Sequence, residues 1–275
     1  MQRFTGRTAI VTGASRGIGA AIAERLAAEG ARVVVTARTM DRHDHLDGSL
    51  AETLQRCRRN GGKAAAVVAD LGDPVDRARI VPEALEQLGG PVDILVNNAA
   101  AAIYQSMLDY PAKRRSITFE VNVFAPLDLS QAVLPGMLER GEGWIVNVSS
   151  GTARPAVGPP FKTDGVAARV GMYGTSKAAL NRMTNALALE LHGRGVRVNV
   201  VEPRAAVASE GAMALLKGNL DASQFETMEE MVEAVVALCC CGPDETGAAH
   251  VSLDLIESLG FDVHGLDGQP LPTAP

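Results

Sequence analysis

A tyrosine and a lysine four residues apart form the candidate chemical centre of this sequence. Tyr173 and Lys177 begin a helix-forming run, where this spacing places both side chains on one face of the helix. A lysine ammonium within about 4–6 Å of a phenol favours the phenolate and lowers its pKa from about 10. The pair therefore predicts a phenol suited to general acid–base chemistry, although an isolated Tyr-x-x-x-Lys equally fits an ordinary aromatic residue beside a solvated lysine.

A glycine-rich segment near the N-terminus is the second candidate site. It follows an apolar run at residues 8–12 and precedes a helical pattern over residues 20–29, and a β-branched run covers residues 31–36. In this strand–turn–helix–strand order, glycines let backbone N–H groups approach a pyrophosphate at the helix N-terminus. The spacing is Gly-x-x-x-Gly-x-Gly, with glycines at Gly13, Gly17 and Gly19.

Strands and helices alternate along the rest of the chain. Short apolar runs separated by helical patterns indicate a parallel sheet that is covered on both faces. We therefore predict an α/β fold, a single-domain Rossmann-like doubly wound parallel sheet in a three-layer αβα arrangement. The further predicted strands cover residues 64–69, 92–96, 144–148 and 196–201, and the further predicted helices cover residues 50–60, 74–88, 116–138 and 173–192.

Polar residues or turns stand where several of these predicted strands end. Asp70, Asn97, Ser150 and Pro203 occupy such positions. Ligands of open α/β sheets bind at the carboxyl edge of the strands. We therefore expect Ser150 and Tyr173 on the same side of the sheet as the glycine-rich segment.

The composition disfavours two classes of partner. The 275 residues are 47% hydrophobic, enough for one sizeable core, and carry a net charge of −6 with a pI near 5.4. Without a long basic run or a membrane-length apolar segment, we predict no nucleic-acid partner and no membrane association. The N-terminus lacks the apolar core of a signal peptide, so we expect a cytoplasmic protein.

The cysteines and histidines do not indicate a metal site. Cys57 and the adjacent trio at residues 239–241 lack the spacing of zinc ligands, and we expect buried free thiols. His43 and His45 lie in a polar, turn-rich stretch with no further ligand nearby in sequence. The prediction is that no metal is bound.

Taken together, the motifs resemble those of the short-chain dehydrogenase/reductase family. The resemblance covers about residues 5–255, and its motifs occur in the family's order at the expected strand and helix ends. The matching residues are Thr12-Gly13-x-x-x-Gly17-x-Gly19, Asn97-Asn98-Ala99, Asn122, Ser150 and Tyr173-x-x-x-Lys177.

The resemblance implies an oxidoreductase that moves a hydride between a nicotinamide cofactor and a carbonyl/alcohol pair. Tyr173 would exchange the proton with the substrate oxygen, and Ser150 would hydrogen-bond that oxygen. Lys177 would lower the pKa of the tyrosine and hold the ribose hydroxyls. Asn122 would order a water-linked proton path to Lys177, although a helix-interior asparagine bonding nearby backbone is the alternative.

Charge near the second strand indicates the cofactor. Enzymes selective for NAD place an acid near the adenosine 2′-hydroxyl, whereas here Arg38 follows the strand and no carboxylate occurs before Asp41. Arg16 lies within the glycine-rich segment, and two guanidiniums suit a 2′-phosphate. NADP(H) is therefore preferred, with NAD(H) as the alternative. Arg16 facing solvent and Arg38 pairing with a surface acid is the competing interpretation of the arginines.

By the same resemblance, Asp70 and Leu71 correspond to an adenine-binding pair, and Asn97 corresponds to a residue that steadies the central strands. The predicted cofactor-binding residues are Gly13, Ser15, Arg16, Gly17, Ile18, Gly19, Arg38, Asp70, Leu71, Asn97, Ala99, Tyr173, Lys177 and Pro203.

The sequence departs from the family pattern in several places. Ser150 and Tyr173 are unusually far apart, and the added segment at residues 154–171 is expected to form a loop beside the substrate. Arg204 replaces a glycine, so it either contacts an acidic substrate group or faces solvent. By the same resemblance, Ser209 corresponds to a carboxamide-binding threonine. Residues 251–255 replace a Val-Asp-Gly-Gly ending.

We expect one dinucleotide-binding catalytic domain over residues 1–260, which includes the substrate loop at residues 154–171, and an irregular tail at residues 261–275. Apolar stretches in that loop and at residues 205–220 favour a hydrophobic substrate such as a hydroxysteroid or an oxoacyl compound. The resemblance implies a homodimer or homotetramer. The alternative functions are a non-catalytic NADP-binding regulatory protein and an epimerase or dehydratase on the same fold.

Overall fold

A seven-stranded parallel sheet forms the centre of the computed structural model, which describes residues 2–41, 47–59, 61–161, 165–207, 209 and 225–271. The strand order is β3-β2-β1-β4-β5-β6-β9, and a separate pair joins β7 to β8. The strands are β1 (Thr8–Thr12), β2 (Arg32–Ala37), β3 (Lys63–Val68), β4 (Ile94–Asn97), β5 (Gly143–Val148), β6 (Val196–Glu202), β7 (Ala206–Val207), β8 (Phe225–Glu226) and β9 (Ala249–Val251).

Helices cover both faces of this sheet. Those of the described residues are α1 (Gly17–Ala28), α2 (Leu50–Arg59), α3 (Pro74–Arg77), α4 (Ile80–Leu88), α5 (Ala112–Phe119), α6 (Ala125–Arg140), α7 (Gly171–Glu190), α8 (Met228–Leu238) and α9 (Ser252–Leu259).

The strands are buried on both sides because two separate apolar clusters cover them. One cluster packs β1, β2 and β4 against α1, α2, α8 and α9, and the other packs the opposite face against α4, α6 and α7. Every residue of β1, β4 and β5 is buried, as their near-continuous apolar sequences require. The predicted three-layer, doubly wound parallel fold is confirmed.

The direction in which successive strands are added to the sheet reverses after β3. The chain moves outward from β1 to β2 and β3, and then returns to place β4 on the other side of β1, where Val11 lies opposite both Val35 and Val96. The crevice between β1 and β4 is the topological switch point at which open α/β sheets bind their ligands.

Two predicted helices differ in detail from the observed ones. The single helix expected over residues 74–88 is two helices, and Asp73 caps the first by accepting a hydrogen bond from Val75 N at 2.9 Å. The helix expected over residues 116–138 begins at Ala112 and contains one π-helical turn at Glu120–Phe124. That turn carries Asn122, whose side chain bonds outside the helix.

The C-terminal part contains regular elements that the sequence analysis did not predict. Helix α8 begins with a capping box in which Thr227 and Glu230 exchange hydrogen bonds. Residues 249–251 add β9 to the sheet, and α9 follows at once in place of the family's glycine turn. In the expected tail, His264 is buried, and its carbonyl oxygen accepts a hydrogen bond from Arg25 Nη1 at 3.1 Å.

The thiols are only partly buried, which corrects the prediction. Cys57 and Cys239 are buried and Cys241 is half-buried, but Cys240 is exposed at the end of α8. His43 and His45 lie outside the described residues. None of the helices in the described part of the chain combines the length and the apolar character needed to cross a membrane.

Candidate active site

Two adjoining cavities lie at the carboxyl edge of the sheet and contain most of the predicted site residues. The first, of about 480 Å³, and the second, of about 460 Å³, are both lined by Asn98 and Ala100. Predicted residues that line the first cavity are Gly13, Ser15, Arg16, Arg38, Asp70, Leu71 and Ala99. Those that line the second are Ile18, Ser150, Tyr173, Lys177, Pro203 and Ser209.

The turn between β1 and α1 packs so closely against β4 that side chains do not fit. Gly13 has φ +64°, and a Cβ there would lie 2.7 Å from Ala99 Cα. A Cβ on Gly19 would lie 2.5 Å from Gly13 O and would also clash with the Asn98 amide. That amide donates to Thr12 O at 2.9 Å, which fixes the end of β4 against the turn.

The first turn of α1 is suited to a phosphate group. Its N-terminal N–H groups have no acceptor within the helix, and the N-cap residue, Arg16, forms no side-chain capping bond. The helix dipole adds positive potential at the same point. With the glycine cradle beside it, this turn fits the pyrophosphate of a dinucleotide.

Arginines and an acidic turn lie around the outer part of the first cavity. Arg38 directly follows β2 and is exposed, and Arg16 Nη1 donates to Asp47 O at 3.4 Å. Asp70 follows β3, and its carboxylate accepts a hydrogen bond from Gly72 N at 2.9 Å. Both arginines line the first cavity.

The structure brings Ser150, Tyr173 and Lys177 together in the second cavity. Ser150 follows β5, and Tyr173 and Lys177 lie on the first turns of α7. Tyr173 is 8% exposed, and the Lys177 Nζ lies 5.9 Å from the centroid of its ring. The predicted placement of these groups on one helical face is thus present.

The pKa of Tyr173 differs from the prediction. Burial raises it well above 10, the neighbouring Tyr104 raises it further, and the Ser150 side chain lowers it by hydrogen bonding without offsetting the burial. The lysine charge, from which a lowered pKa was expected, does not offset this desolvation. The raised pKa favours the protonated phenol.

Lys177 is buried, and its ammonium is bonded to the backbone of β5. Its Nζ donates to Val148 O at 2.7 Å, and burial lowers its pKa to about 8. The anchor on β5 fixes the ammonium beneath the cavity, where it can meet ligand hydroxyls.

Asn122 and Asn97 lie behind the cavities and bond to protein groups. Asn122 accepts from Ala101 N at 2.7 Å and donates to Ser176 Oγ at 2.9 Å, so it joins the π-helical turn to α7 beside Lys177. Asn97 donates to Asn147 Oδ1 at 2.8 Å and links β4 to β5. Asn97 therefore connects neighbouring strands of the sheet and lines neither cavity. Gly17, in the turn between β1 and α1, has a φ of +53°, which favours glycine.

Tyr104 is a lining residue of the second cavity that the sequence analysis missed. Its ring centroid lies 5.6 Å from that of Tyr173 at an interplanar angle of 56°, and burial raises its pKa. It belongs to an irregular segment after β4 that carries no motif. The pairing depends on a contact between residues 69 positions apart in sequence, so no local signal identifies it.

The segment at residues 154–171 borders the second cavity in its described part. Val166 and Val170 line the cavity, and Arg169 O accepts a hydrogen bond from Gln105 N at 2.9 Å. At the other end, Arg154 forms an ion pair with the buried Glu202 at 3.1 Å.

Arg204 lines the second cavity, but its guanidinium has other partners. It pairs with Asp254 and, at 3.2 Å, with Glu257, both on α9. The prediction that Arg204 contacts an acidic substrate group is therefore not supported by its position. Its backbone N–H donates to Glu226 Oε2 at 3.0 Å, which holds the start of the segment after β6.

Comparison with known proteins identifies the family. A family model described as short chain dehydrogenase matches residues 7–219. The chain belongs to the short-chain dehydrogenase/reductase family. Its fold and the order of its motifs agree with this oxidoreductase family, whose members bind NAD(P).

Similar short-chain dehydrogenases include curated proteins and a solved structure. Ketoacyl reductase HetN from Nostoc sp. is 36% identical over 74% of this chain, and hydroxysteroid dehydrogenase-like protein 2 from Danio rerio is 31% identical over 98%. The matched regions span 64% and 63% of those two proteins. A putative gluconate 5-dehydrogenase from Beutenbergia cavernae with bound NADP superimposes with a TM-score of 0.76 at 31% identity, covering 90% of this chain and 95% of that one.

Proposed function

We propose that this short-chain dehydrogenase/reductase interconverts a ketone and a secondary alcohol with NADP(H). The observation that carries the proposal is the convergence of Ser150, Tyr173 and Lys177 on one cavity, directly beside a second cavity with a glycine turn. One cavity suits the dinucleotide and the other suits the reacting carbonyl. A bound nicotinamide supplies or accepts the hydride.

The residues of the second cavity have distinct roles in this proposal. In reduction, Tyr173 gives its proton to the carbonyl oxygen, and the raised pKa keeps that proton in place at neutral pH. Ser150 hydrogen-bonds the same oxygen, and Lys177 holds ribose hydroxyls from below. Asn122 orders the path by which solvent protons reach Lys177. In oxidation the proton moves in the opposite direction.

A hydrophobic substrate is supported by the side chains around the second cavity. Tyr104, Val166, Val170 and Val207 contribute apolar surface, whereas the nearby Arg204 guanidinium is neutralised by α9. The relatives' printed names, a ketoacyl reductase and a hydroxysteroid dehydrogenase-like protein, are consistent with such substrates. The residues at 210–220 that the sequence analysis included lie outside the described part of the chain.

The proposal also includes a homodimer or homotetramer formed through α6 and α7. On α7, Leu189 is 76% exposed and is available for such a contact.

Replacing Tyr173 with phenylalanine tests the proposed mechanism. Because the variant keeps the ring and loses the proton donor, we expect kcat to fall by about 10²–10⁴-fold. NADPH oxidation is followed by absorbance across a panel of steroid, acyl-thioester and cyclic ketones. Tyr110→Phe is the matched control, since its hydroxyl donates to Ile103 O at 3.1 Å outside both cavities. Unchanged turnover in Tyr173→Phe contradicts the mechanism.

Replacing Arg16 and Arg38 with alanine tests the cofactor preference. Both arginines line the first cavity, so replacing them removes positive charge that favours a 2′-phosphate over a 2′-hydroxyl. We expect KM for NADPH to rise at least about tenfold more than KM for NADH, because a hydrogen bond to a charged group contributes roughly 1.5–3 kcal/mol. Equal increases for the two cofactors contradict NADP(H) selectivity.

A further inference from the structure

Thr152 makes two hydrogen bonds to the oxygen of Ser150. Ser150 begins the 3₁₀ turn at Gly151–Ala153, and its Oγ accepts from Thr152 N at 3.2 Å. The Thr152 Oγ1 also donates to the same oxygen at 3.0 Å. A single residue therefore supplies both the backbone and the side-chain donor to Ser150.

These two bonds determine what the Ser150 hydroxyl can still do. A serine hydroxyl has one proton to donate and two lone pairs with which to accept. With both lone pairs engaged by Thr152, the remaining function of Ser150 is to donate its proton. Ser150 lines the second cavity beside Tyr173, so that proton is directed to a group in this cavity.

Thr152 is itself held in place by the helix that carries Tyr173. A Cβ on Gly174, the residue after Tyr173, would clash with Thr152 O, which shows how closely the turn and α7 approach. Thr152 therefore lies between Ser150 and the first turn of α7. Any movement of its hydroxyl changes the hydrogen bonding of Ser150 directly.

We infer that Thr152 is a positioning residue, which fixes Ser150 as an obligatory hydrogen-bond donor to the oxygen of a carbonyl substrate. The inference rests on the proposed ketone–alcohol chemistry and deepens it, because a fixed donor favours a carbonyl or alkoxide-like oxygen over a group that must itself donate. Of the residues in this turn, the family motif contains only Ser150, so Thr152 carries no motif signal.

Valine and serine replacements at position 152 test the inference. Thr152→Val keeps the shape and removes the hydroxyl, so we expect kcat for ketone reduction to fall about three- to tenfold, as for one net hydrogen bond. Thr152→Ser keeps the hydroxyl and should restore kcat to within about twofold of the starting protein. The NADPH dissociation constant and the melting temperature should stay unchanged in both. Thr175→Val, at an exposed hydroxyl that donates to Gly171 O at 2.9 Å, is the matched control.

A double-mutant cycle shows whether Thr152 acts through Ser150. In a Ser150→Ala background, Thr152→Val should have no further effect on kcat, because the oxygen that it positions is gone. Additive losses, or a Thr152→Ser variant as slow as Thr152→Val, overturn the inference.

Two different outcomes separate this inference from the proposed function. No reduction of any ketone by the starting protein contradicts the proposed function. Reduction by the starting protein with an equal kcat in Thr152→Val contradicts the role of Thr152 alone.

Discussion

Lys177 is a lysine almost wholly shielded from water, with 2% of its surface exposed. Burial disfavours the ammonium, and its pKa falls from the ordinary 10.5 to about 8. The single backbone bond to Val148 O compensates for only part of the lost hydration. A buried charge that stabilises the fold so poorly is typical of residues that are kept for chemistry.

The pH dependence of stability should reveal this lysine. Between pH 8 and 10.5 the unfolded chain binds the Lys177 proton and the folded chain does not, so the contribution of Lys177 to stability rises with pH in this window. The gain is on the order of 3 kcal/mol at about 1.4 kcal/mol per pKa unit. Urea unfolding gives the free energy of unfolding of the starting protein and of Lys177→Met between about pH 7.5 and 10.5, the range in which the folded chain loses the Lys177 proton first.

In that experiment Lys177→Met lacks the rise. Lys113→Met, at an exposed lysine on α5, serves as the control and should keep it. If the free energies of unfolding of Lys177→Met and of the starting protein change in parallel with pH, the pKa of Lys177 is not lowered in the folded state.

At this scale the sequence predicted which side chains come together better than it predicted their pKa values. The spacing of Tyr173 and Lys177 gave their common face, because helical geometry is local. The direction of the Tyr173 pKa depends on burial by segments distant in sequence, including Tyr104, which spacing does not encode. The two hydrogen bonds from Thr152 to Ser150 likewise depend on the conformation of the turn, which the sequence pattern does not specify.

Close packing constrains the backbone of the turn between β1 and α1. Gly19 lies inside α1, where glycine costs about 1 kcal/mol relative to alanine in helix propensity. Alanine does not fit there, because its Cβ would lie 2.5 Å from Gly13 O. The close approach of α1 and β4 therefore outweighs helix propensity at this position.

Alanine at Gly19 should damage this element in a measurable way. We expect Gly19→Ala to lower the melting temperature by several degrees, since overpacking typically costs about 1–3 kcal/mol, and to weaken NADPH binding by displacing the N–H groups of the turn. Gly242→Ala is the matched control, because nothing lies within 4 Å of its added Cβ. Equal stability of the two variants contradicts the close packing of the turn.

The prediction of elements succeeded where pattern and packing agree. The β-branched strand β2 and the apolar β5 were predicted to within about one residue, because their periodicity directly reflects burial on both faces. The break between α3 and α4, and the short β9 that leads directly into α9, depend on capping and on edge pairing with β6. Such features carry little periodic signal.

Across the whole molecule, an ion network joins segments from both ends of the sequence. Arg25 lies between Glu29 and Glu233, with contacts of 2.6 Å and 2.7 Å, and all three side chains are almost fully buried. Arg3 pairs with the same two carboxylates. Burial raises the pKa of Glu29, but the bonds from Arg3 and Arg25 outweigh it and hold the pKa below its ordinary value.

Removing the central cation should destabilise the fold strongly. Arg25→Met leaves Glu29 and Glu233 buried with Arg3 as their one remaining arginine partner, and such losses typically cost about 3–5 kcal/mol. Chemical unfolding measures the change. Arg79→Met, whose ion pairs with Asp76 and Glu83 are exposed, should leave stability almost unchanged. A loss for Arg25→Met no larger than for Arg79→Met contradicts the importance of the network.

The same network has a consequence for synthesis on the ribosome. Arg25 and Glu29 emerge early. Glu233 lies 208 residues after Arg25, and His264, whose carbonyl oxygen also accepts from Arg25, lies 239 residues after it. Chains fold from the N-terminal side as they emerge. The nascent first βαβ unit therefore carries an under-neutralised charge and an uncovered apolar face on α1 until α8 docks. Translation must therefore pass residue 264 before all partners of Arg25 are available.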